Sequence, residues 1–317
     1  MKIVITGGAG FIGSHLCDNL IKKKHEVICV DNFLTGRQLN IQHLLDNPRF
    51  RLIKHDVIYP LTLSSKIDAI YHLASPASPN HHSRLSYHAH PMETMLANTQ
   101  GTLLLLKFAK KHRAKFLFAS SSEVYGNPYE HPQKEKYNGN VSTTGPRSVY
   151  DESKRFGETI TSYFVRNESI DSRIARIFNT YGPRMQKEDM RMIVRFITQA
   201  LNGDPMTIYG DGKQTRSLCN VDDMVEGLAR LMFYPKTKGE VVNLGATEEH
   251  TVLDYAHLIK KLTNSQSQII FSEPLPQDDP KKRKPDINKA KKLLNWEPKI
   301  SLEDGLKKTI DYINSNI

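Results

Sequence analysis

Short, nearly continuous apolar runs alternate with longer amphipathic stretches through the first half of the chain. Residues 2–5, 27–30, 51–53, 69–73, 115–119 and 172–177 read as strands: β-branched and aromatic side chains fill them, and turn-forming residues bound them. Between them, apolar residues recur at helical spacing over 14–23, 92–112 and 150–166. Strands that are apolar on both faces and separated by helices predict a parallel sheet covered on both sides. That is an α/β, doubly wound (Rossmann) arrangement.

The pattern changes in the second half. Helical spacing recurs near 190–201, 252–262, 287–294 and 302–312, with short strands near 206–209 and 241–244. Gly182-Pro183, Gly210-Asp211-Gly212 and the stretch 274–280 punctuate it. The expected organisation is a Rossmann domain over 1–180 and a smaller mixed α/β substrate lobe over 181–317, with a soft, interleaved boundary.

Chemistry enters where the first strand runs into Thr6-Gly7-Gly8-Ala9-Gly10-Phe11-Ile12-Gly13. Gly7, Gly10 and Gly13 form GxxGxxG, and Gly8, Gly10 and Gly13 form GxGxxG. A bare glycine pattern is weak. Set between a strand and a helix it predicts a pyrophosphate cradle, because backbone without Cβ atoms approaches the anion and the helix N–H groups point at it. Asp31 ends the second strand, at the spacing where a carboxylate binds the adenosine ribose hydroxyls and repels a 2′-phosphate. NAD is therefore expected, and Arg37 close by keeps NADP open. Asp56 and Val57, after the third strand, are expected at the adenine rim.

Tyr150 and Lys154 share a helix face at i and i+4. A free phenol, with a pKa of about 10, is a poor base at neutral pH, and a neighbouring ammonium favours the phenolate. The loop Ser120-Ser121-Ser122-Glu123 follows a strand, where a doubly wound fold places its site, and offers a hydroxyl to orient a substrate oxygen beside Tyr150.

Composition narrows the partner. The formal charge of +10 suits phosphate-bearing molecules. The basic residues are dispersed apart from Lys281-Lys282-Arg283-Lys284, with no interleaved aromatic stripe, so no nucleic-acid partner is expected. No apolar run reaches the roughly 20 residues that cross a bilayer. Strand-like sequence from Lys2 leaves no room for a signal peptide. Cys17, Cys29 and Cys219 make neither a disulfide framework nor a CxxC site, which points to a reducing, cytoplasmic setting. His81, His82, His88 and His90 are irregularly spaced and read as a solvated loop, so no metal is expected.

These motifs together resemble the extended short-chain dehydrogenase/reductase superfamily, in its UDP-glucuronate decarboxylase branch. The glycine loop and the Tyr/Lys pair mark the superfamily. The branch is marked by Ser75-Pro76-Ala77-Ser78-Pro79, Ser122-Glu123-Val124-Tyr125-Gly126 and Arg283-Lys284-Pro285-Asp286, and Gly145-Pro146-Arg147 and Gln277-Asp278-Asp279-Pro280 add to the likeness. The likeness covers essentially the whole chain. It departs over 79–98, about five residues longer than expected for the family, and at Leu96-Ala97.

The resemblance implies NAD-dependent oxidation of UDP-glucuronate at C4, loss of carbon dioxide from the resulting β-keto acid, and reduction to UDP-xylose with NAD regenerated in place. It implies catalytic roles for Ser121, Glu123, Tyr150, Lys154 and Arg283. It extends the cofactor site to Phe11, Ile12, Asn32, Thr35, Gly36, Leu73, Ser75, Thr180 and Arg191. It places the UDP-sugar on Asn179, Arg191, Tyr209, Gln214, Arg216 and Arg283. It further implies a homodimer through a four-helix contact of 92–112 and 150–166. A UDP-glucuronate 4-epimerase, a decarboxylase releasing the 4-keto pentose and a non-catalytic NAD-binding sensor stay open at this point; Ser122-Glu123 departs from the Asp-Glu pair of 4,6-dehydratases.

Overall fold

A computed structural model describes residues 1–276 and 279–315. Gln277 and Asp278, from one of the motifs that carry the resemblance, lie outside the described residues. Six strands come from the first half: β1 (Lys2–Thr6), β2 (Glu26–Asp31), β3 (Phe50–Lys54), β4 (Ala69–His72), β5 (Lys115–Ser121) and β6 (Ser172–Ile177). With Val241–Leu244 they form one seven-stranded sheet in the order 241–244, β6, β5, β4, β1, β2, β3. Every pairing in it is parallel.

Alternation along β1 shows why both faces are apolar. Ile3 and Ile5 enter one core with Leu16, Leu20, Val225 and Leu228; Val4 enters the other with Phe108, Phe116 and Phe164. Burying each such side chain contributes about 1.5–3 kcal/mol, so both faces must be covered. On one side lie α1 (Phe11–Lys22) and, from far along the chain, α6 (Val221–Phe233). The other side carries α2 (Pro91–Leu96), α3 (Thr102–His112) and α4 (Ser148–Glu168). The expected helix over 92–112 is interrupted by a π turn at Ala97–Gly101.

Residues 221–233 carried no helix in the sequence reading, yet α6 is fully formed. Asn220 accepts a hydrogen bond from Asp222 N at its start, and Met224, Val225, Leu228, Leu231 and Met232 are buried at helical spacing. Together α6 and 241–244 return the chain to the main sheet after residue 180. The lobe has its own core, where α5 (Met192–Asn202), α7 (Val252–Leu262) and the last helix, Leu302–Asn314, pack through Phe196, Ile197, Tyr255, Ile259 and Leu306. Strand order reverses between β1 and β4, which opens a crevice beyond their C-terminal ends.

Candidate active site

The crevice begins at the glycine loop. Gly7 has φ +72°, and a Cβ on Gly13 would stand 2.1 Å from the Gly7 carbonyl oxygen. Glycine at both places lets α1 start directly beneath the loop. No side chain caps α1 at Gly10, and its first turn holds no acid, so the positive end of the helix is left to an incoming anion. At the end of β2, Asp31 is buried and fixed: Oδ2 accepts from Ala9 N at 2.9 Å and Oδ1 from Phe33 N at 2.8 Å. Burial raises its carboxyl pKa, and those two N–H groups oppose the rise. Asn32 donates to Asp56 at 2.9 Å across the next loop.

One cavity of about 260 Å³ receives all of this. Gly7, Gly10, Phe11, Ile12, Gly13, Asp31, Asn32, Thr35, Gly36, Asp56, Val57, Leu73, Ser75, Tyr150, Lys154, Thr180 and Arg191 all line it, and Arg37 does not. An uncapped helix end, a cradle that Cβ atoms would fill and a fixed carboxylate fit a dinucleotide. A second cavity of about 190 Å³ adjoins it through Pro79, Asn179, Thr180 and Arg191. Arg147, Tyr209, Gln214 and Arg216 line this one. Gln214 Oε1 is buried without a hydrogen-bond partner, and Arg195 lies 4.1 Å over the Tyr209 ring.

Tyr150 lines the first cavity, within reach of the charge of Arg191, which lines both. Its ring stacks on Tyr87 at 5.1 Å, and its hydroxyl hydrogen-bonds Ser121, at the end of β5. Burial pushes the phenol pKa up; the Ser121 bond and the Arg191 charge pull it down, against Glu123 and Asp151. Lys154 is buried on the same helix. Its Nζ donates to Ala119 O at 2.8 Å and sits 5.5 Å from the centre of the Tyr150 ring, so it bonds the strand and not the phenol. Burial lowers its pKa to about 7. His72 bonds Thr6 Oγ1 at 2.9 Å and Ala97 O at 3.1 Å; burial lowers its pKa to about 3, and it tethers the π turn instead of titrating. That turn points Asn98 at Ser75 and Ser153 and leaves Asn98 Oδ1 unpartnered.

Behind Tyr150 runs an alternating chain of charge: Arg283, Glu123, Arg147, Asp279, Arg216. Glu123 is held between Arg283 and Arg147, the latter at 2.5 Å. Arg147 also reaches Asp279 at 3.2 Å, and Asp279 takes Arg216 at 2.8 Å. Burial would raise the Glu123 pKa, but the two guanidinium groups outweigh it and bring it to about 2. Arg283 is 1% exposed and lines neither cavity. Its other bonds go to Ser122 Oγ at 3.3 Å and Gly126 O at 2.8 Å. Expected on the substrate, it stands instead behind Glu123, because the short strand Lys282–Arg283 turns it inward.

The chain matches the GDP-mannose 4,6 dehydratase family over residues 4–309. UDP-glucuronic acid decarboxylase 1 of Arabidopsis thaliana is 51% identical over 317 residues, covering 100% of this chain and 71% of that protein. The protein of the same name from Danio rerio is 50% identical over 316 residues, covering 100% and 73%. The chain belongs to the UDP-glucuronic acid decarboxylase family. Among solved structures it is similar to the UDP-glucuronic acid 4-epimerase of Bacillus cereus in complex with UDP-glucuronic acid and NAD, with a TM-score of 0.86 and 32% identity over 100% of both chains.

For a member of the decarboxylase family, the residues that sequence reasoning missed are instructive. Arg147 and Asp279 appeared in quoted motifs without a role. They lie 132 positions apart, so no spacing reveals their contact. Tyr87 sits in the long loop that departs from the family pattern. Asp151, beside Tyr150, is buried with Oδ1 unpartnered; burial and the Glu123 charge push its pKa up to about 8.

Proposed function

We propose that this decarboxylase-family chain converts UDP-glucuronate to UDP-xylose with NAD retained through the cycle. The observation that carries the reading is the five-residue charge chain beside Tyr150, with Arg147 and Arg283 buried and the other three half-buried, which a plain alcohol dehydrogenase does not need. When bound, NAD supplies a hydride acceptor and donor for C4 and a positive charge that favours the phenolate.

Tyr150, with Ser121 bonded to it, takes the C4 hydroxyl proton. The C4 ketone makes the C5 carboxyl group a β-keto acid, so the C5–carboxyl bond breaks with its electron pair passing into the ketone. Ser121 and Tyr150 then hold the enolate oxygen. Glu123, held ionised, has no proton to give. It orients a water that passes a proton from solvent to C5, the water being reprotonated from bulk, while Arg283 keeps Glu123 charged. Arg147 faces the substrate cavity and exchanges Asp279 for the sugar carboxylate. Arg216 and Arg191 take the diphosphate, Asn179 and Gln214 the polar groups of the sugar nucleotide, and Tyr209 the uracil face.

Among the described residues no helix is long and apolar enough to cross a membrane. Cys17, Cys29 and Cys219, buried and unpaired, support a reducing, cytoplasmic setting. A homodimer through α2, α3 and α4 is supported by Met92, Phe156 and Tyr163, large apolar side chains that these helices leave about half exposed.

The test is incubation with UDP-glucuronate labelled at the carboxyl carbon. Labelled carbon dioxide and UDP-xylose are expected. Label retained in a C4-inverted uronate would make the chain an epimerase.

A further inference from the structure

The rim of the substrate cavity carries a second cluster of donor side chains, separate from the charge chain. His81 and His82 come from the long loop after Pro79, and Glu273 ends the strand Ile269–Glu273. His82 Nε2 lies 3.2 Å from Glu273 Oε2, and His81 Nε2 lies 3.9 Å from the same oxygen. The two imidazole rings are 4.1 Å apart, and one donor atom from each of the three residues falls within 4.8 Å of the others. Ligand atoms about 2.0–2.2 Å from a tetrahedral ion stand roughly 3.3–3.6 Å apart. The observed separations straddle that spacing, so small side-chain rotations close the set.

The loop is also anchored before any ion arrives. Asn80 donates to Met190 O at 2.8 Å and accepts from His82 N at 2.9 Å, and Ser83 donates to Glu188 O at 2.5 Å. The histidine pair is thereby presented as a unit to Glu273, 191 positions away from His82. No sequence spacing announces such a set, which is why the histidines read as a solvated loop in the sequence alone. Other histidines make plain pairs: His131 meets Glu249 and His43 meets Asp18, one carboxylate to one ring.

We propose that His81, His82 and Glu273 bind one divalent transition ion of the zinc type, with water in the remaining position. Two imidazole nitrogens and one carboxylate select zinc, cobalt or nickel over calcium or magnesium, which require mostly oxygen donors. Each side chain is a little under half exposed, so water reaches the open position. The nearby Arg195 guanidinium, stacked on Tyr209, interacts with the Glu273 charge and tempers the affinity for a cation. His81 lines the substrate cavity, 6.5 Å from the Tyr209 ring. The ion therefore ties the 79–82 loop to the lobe strand at the rim. The proposal rests on the loop and strand alone, so its failure leaves the decarboxylase reading standing.

The experiment uses the full chain stripped with chelator and titrated with Zn²⁺, and with Co²⁺ for its visible absorption. One equivalent of either ion per chain is expected, with Co²⁺ giving the intense bands of a four-coordinate nitrogen/oxygen site. His82→Asn and Glu273→Gln are each expected to weaken Zn²⁺ binding at least about 10-fold, and His131→Asn to leave it unchanged. Zn²⁺ is also expected to slow amide exchange over 80–83 in the parent chain. Absence of saturable binding overturns the proposal, and so does a Zn²⁺ affinity equal to the parent's in both His82→Asn and Glu273→Gln.

Discussion

The two cavities that adjoin at Asn179, Thr180 and Arg191 are built in opposite ways. The dinucleotide side is local. One strand, one glycine loop and one helix make the cradle between Lys2 and Lys22, and Asp31 follows one element later. Backbone geometry does most of the work there. The sugar-nucleotide side is assembled from a distance. Glu123, Arg147, Arg216, Asp279 and Arg283 come from distant parts of the sequence; side-chain charge joins them in a chain, and backbone pairing of two short strands sets Arg283 beside Arg216. A site made of backbone fails by steric insult, whereas a site made of charge fails when one member is removed and its neighbour is left uncompensated.

Tyr150→Phe removes the proposed base and carries the largest expected effect. Loss of the base should lower kcat by about 10²–10⁴-fold. No absorbance from reduced cofactor should appear on adding UDP-glucuronate, while NAD still binds. Full reduction at the parent rate would remove Tyr150 from the first step.

Arg283→Met tests the assembled side. It keeps the volume and removes one of the two cations on Glu123, so unfolding free energy in urea should fall by about 3–5 kcal/mol. NAD affinity should stay within about twofold. An unchanged stability with a raised KM would place Arg283 on the substrate after all.

Gly13→Ala tests the local side. Its Cβ would stand 2.1 Å from the Gly7 carbonyl oxygen. Forcing the loop open costs about 1–3 kcal/mol, so the NAD Kd should rise roughly 5- to 150-fold by calorimetry. Affinity for UDP should hardly change.

This division also explains what the sequence made legible. The sheet, the cradle, Asp31 and the Tyr150/Lys154 face follow from periodicity and short spacing. The π turn at Ala97–Gly101 does not, since the apolar pattern runs through it unbroken. Helix α6 was legible in principle from its buried face and the Asn220 cap, but the change of pattern after residue 180 drew the reading toward a separate lobe. The packing shows its apolar face belonging to the first domain's core, with Val225 and Leu228 beside Leu16 and Leu20. The charge chain was legible only as separate motifs. Its pairings exist in three dimensions alone, which is why Arg147 received no role and Arg283 was placed on the substrate.

Asp151→Asn leaves the charge chain itself intact and carries a distinctive pH signature. Burial and Glu123 push the Asp151 pKa up to about 8, so the folded chain keeps a proton that the unfolded chain releases near its ordinary value of 3.8. Between about pH 4 and 8 the folded state binds more protons, and this group's contribution to stability falls as pH rises. Asparagine mimics the protonated form. The variant should match the parent only below about pH 4 in thermal melts and gain on it steadily toward pH 8. A parent-like pH profile would show that Asp151 is ionised in the folded chain.

The central claim is that Arg147 turns a dehydrogenase site into one that handles a carboxylate. Single-turnover reaction of Arg147→Met with saturating, carboxyl-labelled UDP-glucuronate follows reduced-cofactor absorbance and labelled carbon dioxide on the same sample. The account predicts that reduction proceeds to a readily measured extent while carbon dioxide release falls by about 30-fold or more. Carbon dioxide released as fast as in the parent would contradict it.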